Sequence, residues 1–129
     1  MEMKVVSAGG KKVDALYKGF TIRTDQSKEY GGDGTAPEPF DMFLASIGTC
    51  AGVTVIMFCQ NRSIPTDNIA MTLSFERNPE TNMVETVSID IQLPADFPEK
   101  YRDAVKRVVD QCTVKKHILH PPAFEINVK

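Results

Sequence analysis

The run PFDMFLASIGTCAGVTVIMF at residues 39–58 carries apolar side chains on every face of a helix, a pattern that a surface helix cannot satisfy. It predicts a helix over about Phe40 to Arg62 that is buried on all sides and forms the centre of the fold. Phe43, Leu44, Ile47, Val53, Val55, Ile56, Met57 and Phe58 supply its bulk, while Ala45, Ser46, Gly48, Thr49, Ala51 and Gly52 gather around Cys50 and allow another backbone close approach. Glycine inside a helix costs roughly 1 kcal/mol against alanine, so Gly48 and Gly52 call for a packing or functional reason. Ser46, Gly48, Thr49 and Thr54 interrupt the run as a membrane span, and Ser63-Ile64-Pro65 ends it.

Around this helix the periodicity changes to two. Val13, Ala15 and Tyr17 alternate with polar neighbours after a Gly9-Gly10 turn, and Phe20 and Ile22 share a face opposite Thr21 and Arg23. Arg23 therefore projects from a strand. DQSKEYGGDGTAPEP, residues 25–39, has no periodicity and is punctuated by glycine and proline, which predicts a long loop of the kind that covers sites. Ile69, Met71, Leu73 and Phe75 alternate, residues 78–82 turn, and Val87, Ile89, Ile91 and Leu93 alternate back as an antiparallel hairpin. From Pro98, helical spacing of Tyr101, Ala104, Val105, Val108 and Cys112 predicts a helix with Cys112 facing inward from its last turn. Thr113 to Leu119 forms a short further helix stopped by Pro121-Pro122, and Phe124, Ile126 and Val128 alternate as a terminal strand. The expected class is α+β, a central buried helix against antiparallel sheet. With 129 residues, 42% of them hydrophobic, the chain supports one core and one domain, residues 1–129.

A net charge of −2 with scattered basic residues offers no footprint for nucleic acid or an anionic membrane. MEMKVVSAGGKKV has no signal-like apolar region, so a soluble cytosolic chain is expected. Three cysteines are too few and too odd for a secreted disulfide framework, and in a reducing compartment they remain available as thiols. Cys50 and Cys112 are 62 positions apart, too far for a local metal clip or a CxxC motif, so only the fold could join them. Free cysteine often merely fills core space, and Cys59, nine residues after Cys50 on the other side of the same helix, is read that way. His117 and His120 with Cys112 would make three zinc ligands, but no fourth appears and no metal or organic cofactor is expected.

Three features together resemble the OsmC/Ohr family of thiol-dependent peroxidases and span most of the chain. They are the proline-rich loop leading into P-x-[DE]-x-x-L-A-S-I-G-T-C at Pro39 to Cys50, a helix continuing past that cysteine, and Cys-x-Val at Cys112 to Val114. The match is to the OsmC-like subgroup, whose acid stands nine positions before the first cysteine, here Asp41; hydroperoxide reductases of the family carry a glutamate ten before, where this chain has Phe40. The resemblance implies an OsmC-like fold, an intertwined homodimer and reduction of organic hydroperoxides in oxidative-stress defence. It also implies that Cys50 attacks peroxide, Cys112 resolves the sulfenic acid as a disulfide, and a dithiol reductant, for which the family suggests lipoyl groups, restores the thiols. The family's arginine on an N-terminal strand corresponds to Arg23, the only arginine before the motif.

The chemistry demands such a charge. The thiolate is the nucleophile, and an apolar setting holds a thiol protonated. Cys50 lies about ten residues into its helix, roughly 15 Å from the start at ~1.5 Å per residue, whereas the dipole acts only within the first turn. Arg23 would supply the charge and Asp41 would orient it as a bidentate pair. Nine residues at 100° put Asp41 on the far side of a straight helix from Cys50, so Glu38, still in the loop, is an alternative acid, and a homodimer taking arginine and acid from one subunit and cysteines from the other removes the difficulty. Asp41 could equally be a favourable first-turn carboxylate, and Arg23 a solvated strand residue. Two other functions stay open: a redox sensor or disulfide-exchange protein, and a module binding an apolar ligand in the dimer groove.

Overall fold

The computed structural model describes all 129 residues, which cluster into two compact units, residues 1–45 and 46–129. In the first, β1 (Lys4–Ser7), β2 (Val13–Tyr17) and β3 (Phe20–Thr24) form an antiparallel sheet in that order. Gly9 and Gly10, at φ of 94° and 56°, turn β1 into β2, and Lys18-Gly19, both at positive φ, joins β2 to β3 with Tyr17 opposite Phe20. Two successive positive φ values match the right-handed twist of a hairpin. Residues 25–38 follow as the expected loop, with one 3-10 turn at Lys28–Tyr30.

Helix α1 spans Pro39–Gln60. Proline at the first helical position loses no bond that the helix could have made. By length and composition α1 could also cross a membrane, but its buried residues Ala51, Val55, Phe58 and Cys59 form the core of the second unit. There they meet Phe97, Val105 and Val109, with Ile69, Met71, Ile89, Ile91 and Leu93 of the hairpin packed against them. The hairpin is β4 (Ala70–Arg77) and β5 (Val84–Gln92), with Leu73 opposite Ile89 and Met71 opposite Ile91. Asn78 builds its turn: the side-chain Oδ1 accepts from Glu80 N at 2.8 Å and Thr81 N at 3.1 Å, and Asn82 takes a left-handed φ of 58°. A 3-10 turn at Glu99–Tyr101 leads into α2 (Arg102–Asp110), whose Val105 and Val109 face the core, and α3 (Thr113–Leu119) follows. The Arg62 guanidinium lies 3.7 Å from the centroid of the Phe58 ring and donates to the Phe58 carbonyl, closing the end of α1 over the core.

Three expectations are corrected. Within one chain α1 is not buried on all sides: Phe40, Phe43, Val53, Ile56 and Met57 are exposed. Cys112 does not close the second helix; it caps the third, because the chain leaves α2 at Gln111 and turns before Thr113. Phe124, Ile126 and Val128 alternate but join no ladder and are 83–97% exposed, since a strand needs a sheet edge and this tail meets none in its own chain.

Candidate active site

The thiols belong to the second unit. All three cysteines are free, and they differ in access. Cys50 is half-buried on α1, Cys59 is completely buried, and Cys112 is 2% exposed. Burial pushes the Cys59 thiol upward, with Arg62 opposing, so this sulfur stays protonated and packed. At Cys112 the backbone is extended (φ −62°, ψ 148°) and Sγ accepts the Lys115 N–H at 3.4 Å, the geometry of an N-cap. Lys115 also pairs with Asp110 across that bend.

The two helix glycines have different reasons. A Cβ on Gly48 would stand 3.3 Å from both methyls of Leu73, so Gly48 admits the hairpin against α1. A Cβ on Gly52 would meet nothing within 4 Å; it borders a cleft of about 180 Å³ with Ile56, Thr66, Ile69 and Met71. No packing inside the chain explains this glycine.

Arg23 and the two acids belong to the first unit. Arg23 is exposed on β3 opposite Asp14 and forms no ion pair with Glu38 or Asp41. Asp41 Oδ2 accepts the Glu38 backbone N–H at 3.1 Å, while the Glu38 carbonyl receives the Met42 N–H at 3.2 Å. Asp41 thus closes the first turn of α1 as the carboxylate of a capping box. Glu38 Oε1 accepts the Ser27 N–H at 3.2 Å, leaving the acid tied to the start of its own loop. His117 bonds through Nδ1 to the Thr113 carbonyl, and no three His, Cys, Asp or Glu side chains, Cys112 with His117 and His120 included, stand where they could hold a metal.

One residue carried no role in the sequence reading. Asp25 is 1% exposed at the end of β3. Its Oδ1 accepts from Gln26 N at 2.8 Å, and its Oδ2 from Thr35 N at 3.0 Å and Thr35 Oγ1 at 2.8 Å. The Thr35 backbone bond above all, with the Thr35 hydroxyl, Gln26 N–H and Lys12 assisting against desolvation, lowers the carboxyl from 3.8 to about 2. An aspartate at a strand end, the type that bonds neighbouring backbone N–H groups, is its only sequence signal. Because the folded value lies below the unfolded one, this carboxylate contributes stability that is full above about pH 4 and is lost as the pH falls toward 2. Wild type is therefore expected to melt higher than Asp25→Asn at neutral pH, with the gap closing between pH 4 and 2 in thermal melts; a constant gap would contradict the role of the charge.

Residues 32–127 match the family model described as OsmC-like protein. The chain belongs to the OsmC-like family. Solved relatives agree in fold. An OsmC-like protein of Mycoplasma pneumoniae superposes with a TM-score of 0.72 at 13% identity, over 93% of this chain and 87% of its own. A Psychrobacter arcticus 273-4 protein, provisionally assigned to the osmotic stress and detoxification response, gives 0.77 at 21% identity over 92% and 88%. An organic hydroperoxide resistance protein OsmC of Legionella pneumophila gives 0.56 at 17% identity over 91% and 87%. At these identities the likeness establishes the fold. No functionally curated protein matches the chain in sequence.

Proposed function

We propose that this protein is a cytoplasmic thiol-dependent peroxidase that reduces organic hydroperoxides. One observation carries the reading: of the three thiols, only Cys50, which ends the family motif, has substantial solvent access. The Cys50 thiolate attacks the distal peroxide oxygen; the O–O bond breaks, the alkoxide takes a proton and leaves as an alcohol, and Cys50 becomes a sulfenic acid. The Cys112 thiolate attacks that sulfur, a disulfide forms and water leaves. A dithiol then reduces the disulfide and is itself oxidised; a lipoyl-type dithiol fits the family resemblance.

Arg23 holds the thiolate and the peroxide oxygen, and Glu38 or Asp41 positions it. That Arg23 forms no ion pair within its own chain supports its use across a subunit interface. So do the exposed apolar residues of α1 and of the tail, which an isolated chain would leave in water. A homodimer of twice 14.3 kDa is expected by light scattering, and Met57→Lys, on the exposed face of α1, is expected to shift it toward monomer. A monomeric wild type would remove the shared-site arrangement.

Stopped-flow mixing with cumene hydroperoxide tests the chemistry. Rapid appearance of a single Cys50–Cys112 disulfide is expected. Uniformly sluggish oxidation by every hydroperoxide would sink the peroxidase and leave slow disulfide exchange.

A further inference from the structure

Arg23 and Glu38 are fifteen positions apart in sequence, yet the fold ties their neighbours directly together. Asp25 N donates to the Pro37 carbonyl at 3.1 Å, and the Asp25 carboxylate receives both the N–H and the hydroxyl of Thr35. Between these bonds the loop is drawn tight: Gly34 N reaches the Gln26 carbonyl at 3.0 Å, and a Cβ on Gly32 would lie 2.1 Å from that same oxygen. Lys12 straps the outside through Asp33 at 2.5 Å. A loop can close on neutral bonds alone, and burying an ionised carboxylate costs several kcal/mol before its hydrogen bonds offset the loss. A buried anion with all its bonds directed into one loop defines a geometry more strictly than closure requires.

We propose that Asp25 is a positioning residue of the peroxidatic site, clamping residues 35–37 to the end of β3 so that Arg23 and Glu38 keep a fixed separation. This rests on the assignment of Arg23 to the hydroperoxide reaction and takes Glu38, of the two acids, as its partner. Asp25 touches neither substrate nor thiol; it acts through the strand end that carries Arg23, two residues before it, and the loop end that carries Glu38. Asn at this position would turn an amide N–H toward a backbone N–H, so the clamp would open on one side.

The test compares Asp25→Asn, Thr35→Val, Thr35→Ser and Arg23→Gln in the full-length protein. Two quantities are read: the second-order rate of Cys50 oxidation by cumene hydroperoxide, and the pH midpoint of Cys50 alkylation by iodoacetamide. A displacement of about 1 Å in a positioned group costs up to about a hundredfold. Asp25→Asn is therefore expected to be slower by about tenfold or more, Thr35→Val by about threefold, and Thr35→Ser to stay within about twofold. The alkylation midpoint is expected to rise in Asp25→Asn as it does in Arg23→Gln, which loss of loop stability alone would not produce. If Asp25→Asn does not fold, Thr35→Val decides by the same two readouts. A folded Asp25→Asn with wild-type rate and midpoint, beside a slow Arg23→Gln, overturns the positioning role and leaves the peroxidase reading intact. An Arg23→Gln as fast as wild type overturns the arginine assignment and, with it, the role given to Asp25.

Discussion

Cys50→Ser is expected to abolish hydroperoxide reduction, by on the order of a thousandfold or more, the scale on which removal of a covalent nucleophile acts. Cys112→Ser is expected to behave differently: one equivalent of hydroperoxide is consumed at the wild-type rate, Cys50 accumulates as sulfenic acid, and the cycle stops without a second thiol. Cys59→Ala should leave both steps unchanged, because that sulfur is completely buried and held protonated by its surroundings. Single-turnover kinetics with trapping of the sulfenic acid by dimedone reads all three. Full activity in Cys50→Ser, or trapping on Cys112 in place of Cys50, would reverse the assignment. Cys50 is half-buried and Cys112 only 2% exposed, and this asymmetry in access is what the paired variants measure.

The second large effect concerns stability. Phe97 is 4% exposed and packs with Ala51, Val55, Phe58, Val105 and Val109, the residues that join α1 to α2. Its backbone is set by a turn in which Phe97 N donates to the Pro94 carbonyl at 3.0 Å. Phe97→Ala removes a ring from this core and is expected to cost about 3–5 kcal/mol. Against a total of roughly 5–15 kcal/mol for a domain, that is about a fifth of the stability or more. Urea unfolding checks it; a loss below about 1 kcal/mol would mean that α2 is not anchored through this ring. Phe97→Leu, which keeps most of the volume, should cost far less.

Much of the architecture was legible along the chain because it rests on short-range rules. The period-two stretches at residues 13–17 and 69–93 became strands, the Gly9-Gly10 pair became a turn, and the all-apolar run became α1, with its end misplaced by two residues. Where side chains face depended on partners that periodicity does not contain. The same run that promised uniform burial leaves Val53, Ile56 and Met57 exposed, since the hairpin and α2 cover one side of it. Helical spacing groups Cys112 with the helix before it, yet it caps the helix after it, because the spacing continues through a bend that only backbone hydrogen bonds reveal. Asp41 illustrates the same limit: its place in the first turn was readable, but its bond to the Glu38 N–H needed coordinates.

The amino-acid sequence by itself determined the helix, the hairpins and the family motif ending at Cys50, because local sterics and side-chain period act between neighbours. Only the tertiary structure decided which thiol meets solvent, why Gly48 lies tight against Leu73 while Gly52 has no neighbour, and that Asp25 is buried and ionised. Burial and charge compensation depend on atoms brought together from distant positions: Thr35 lies ten residues beyond Asp25, and Leu73 lies twenty-five beyond Gly48.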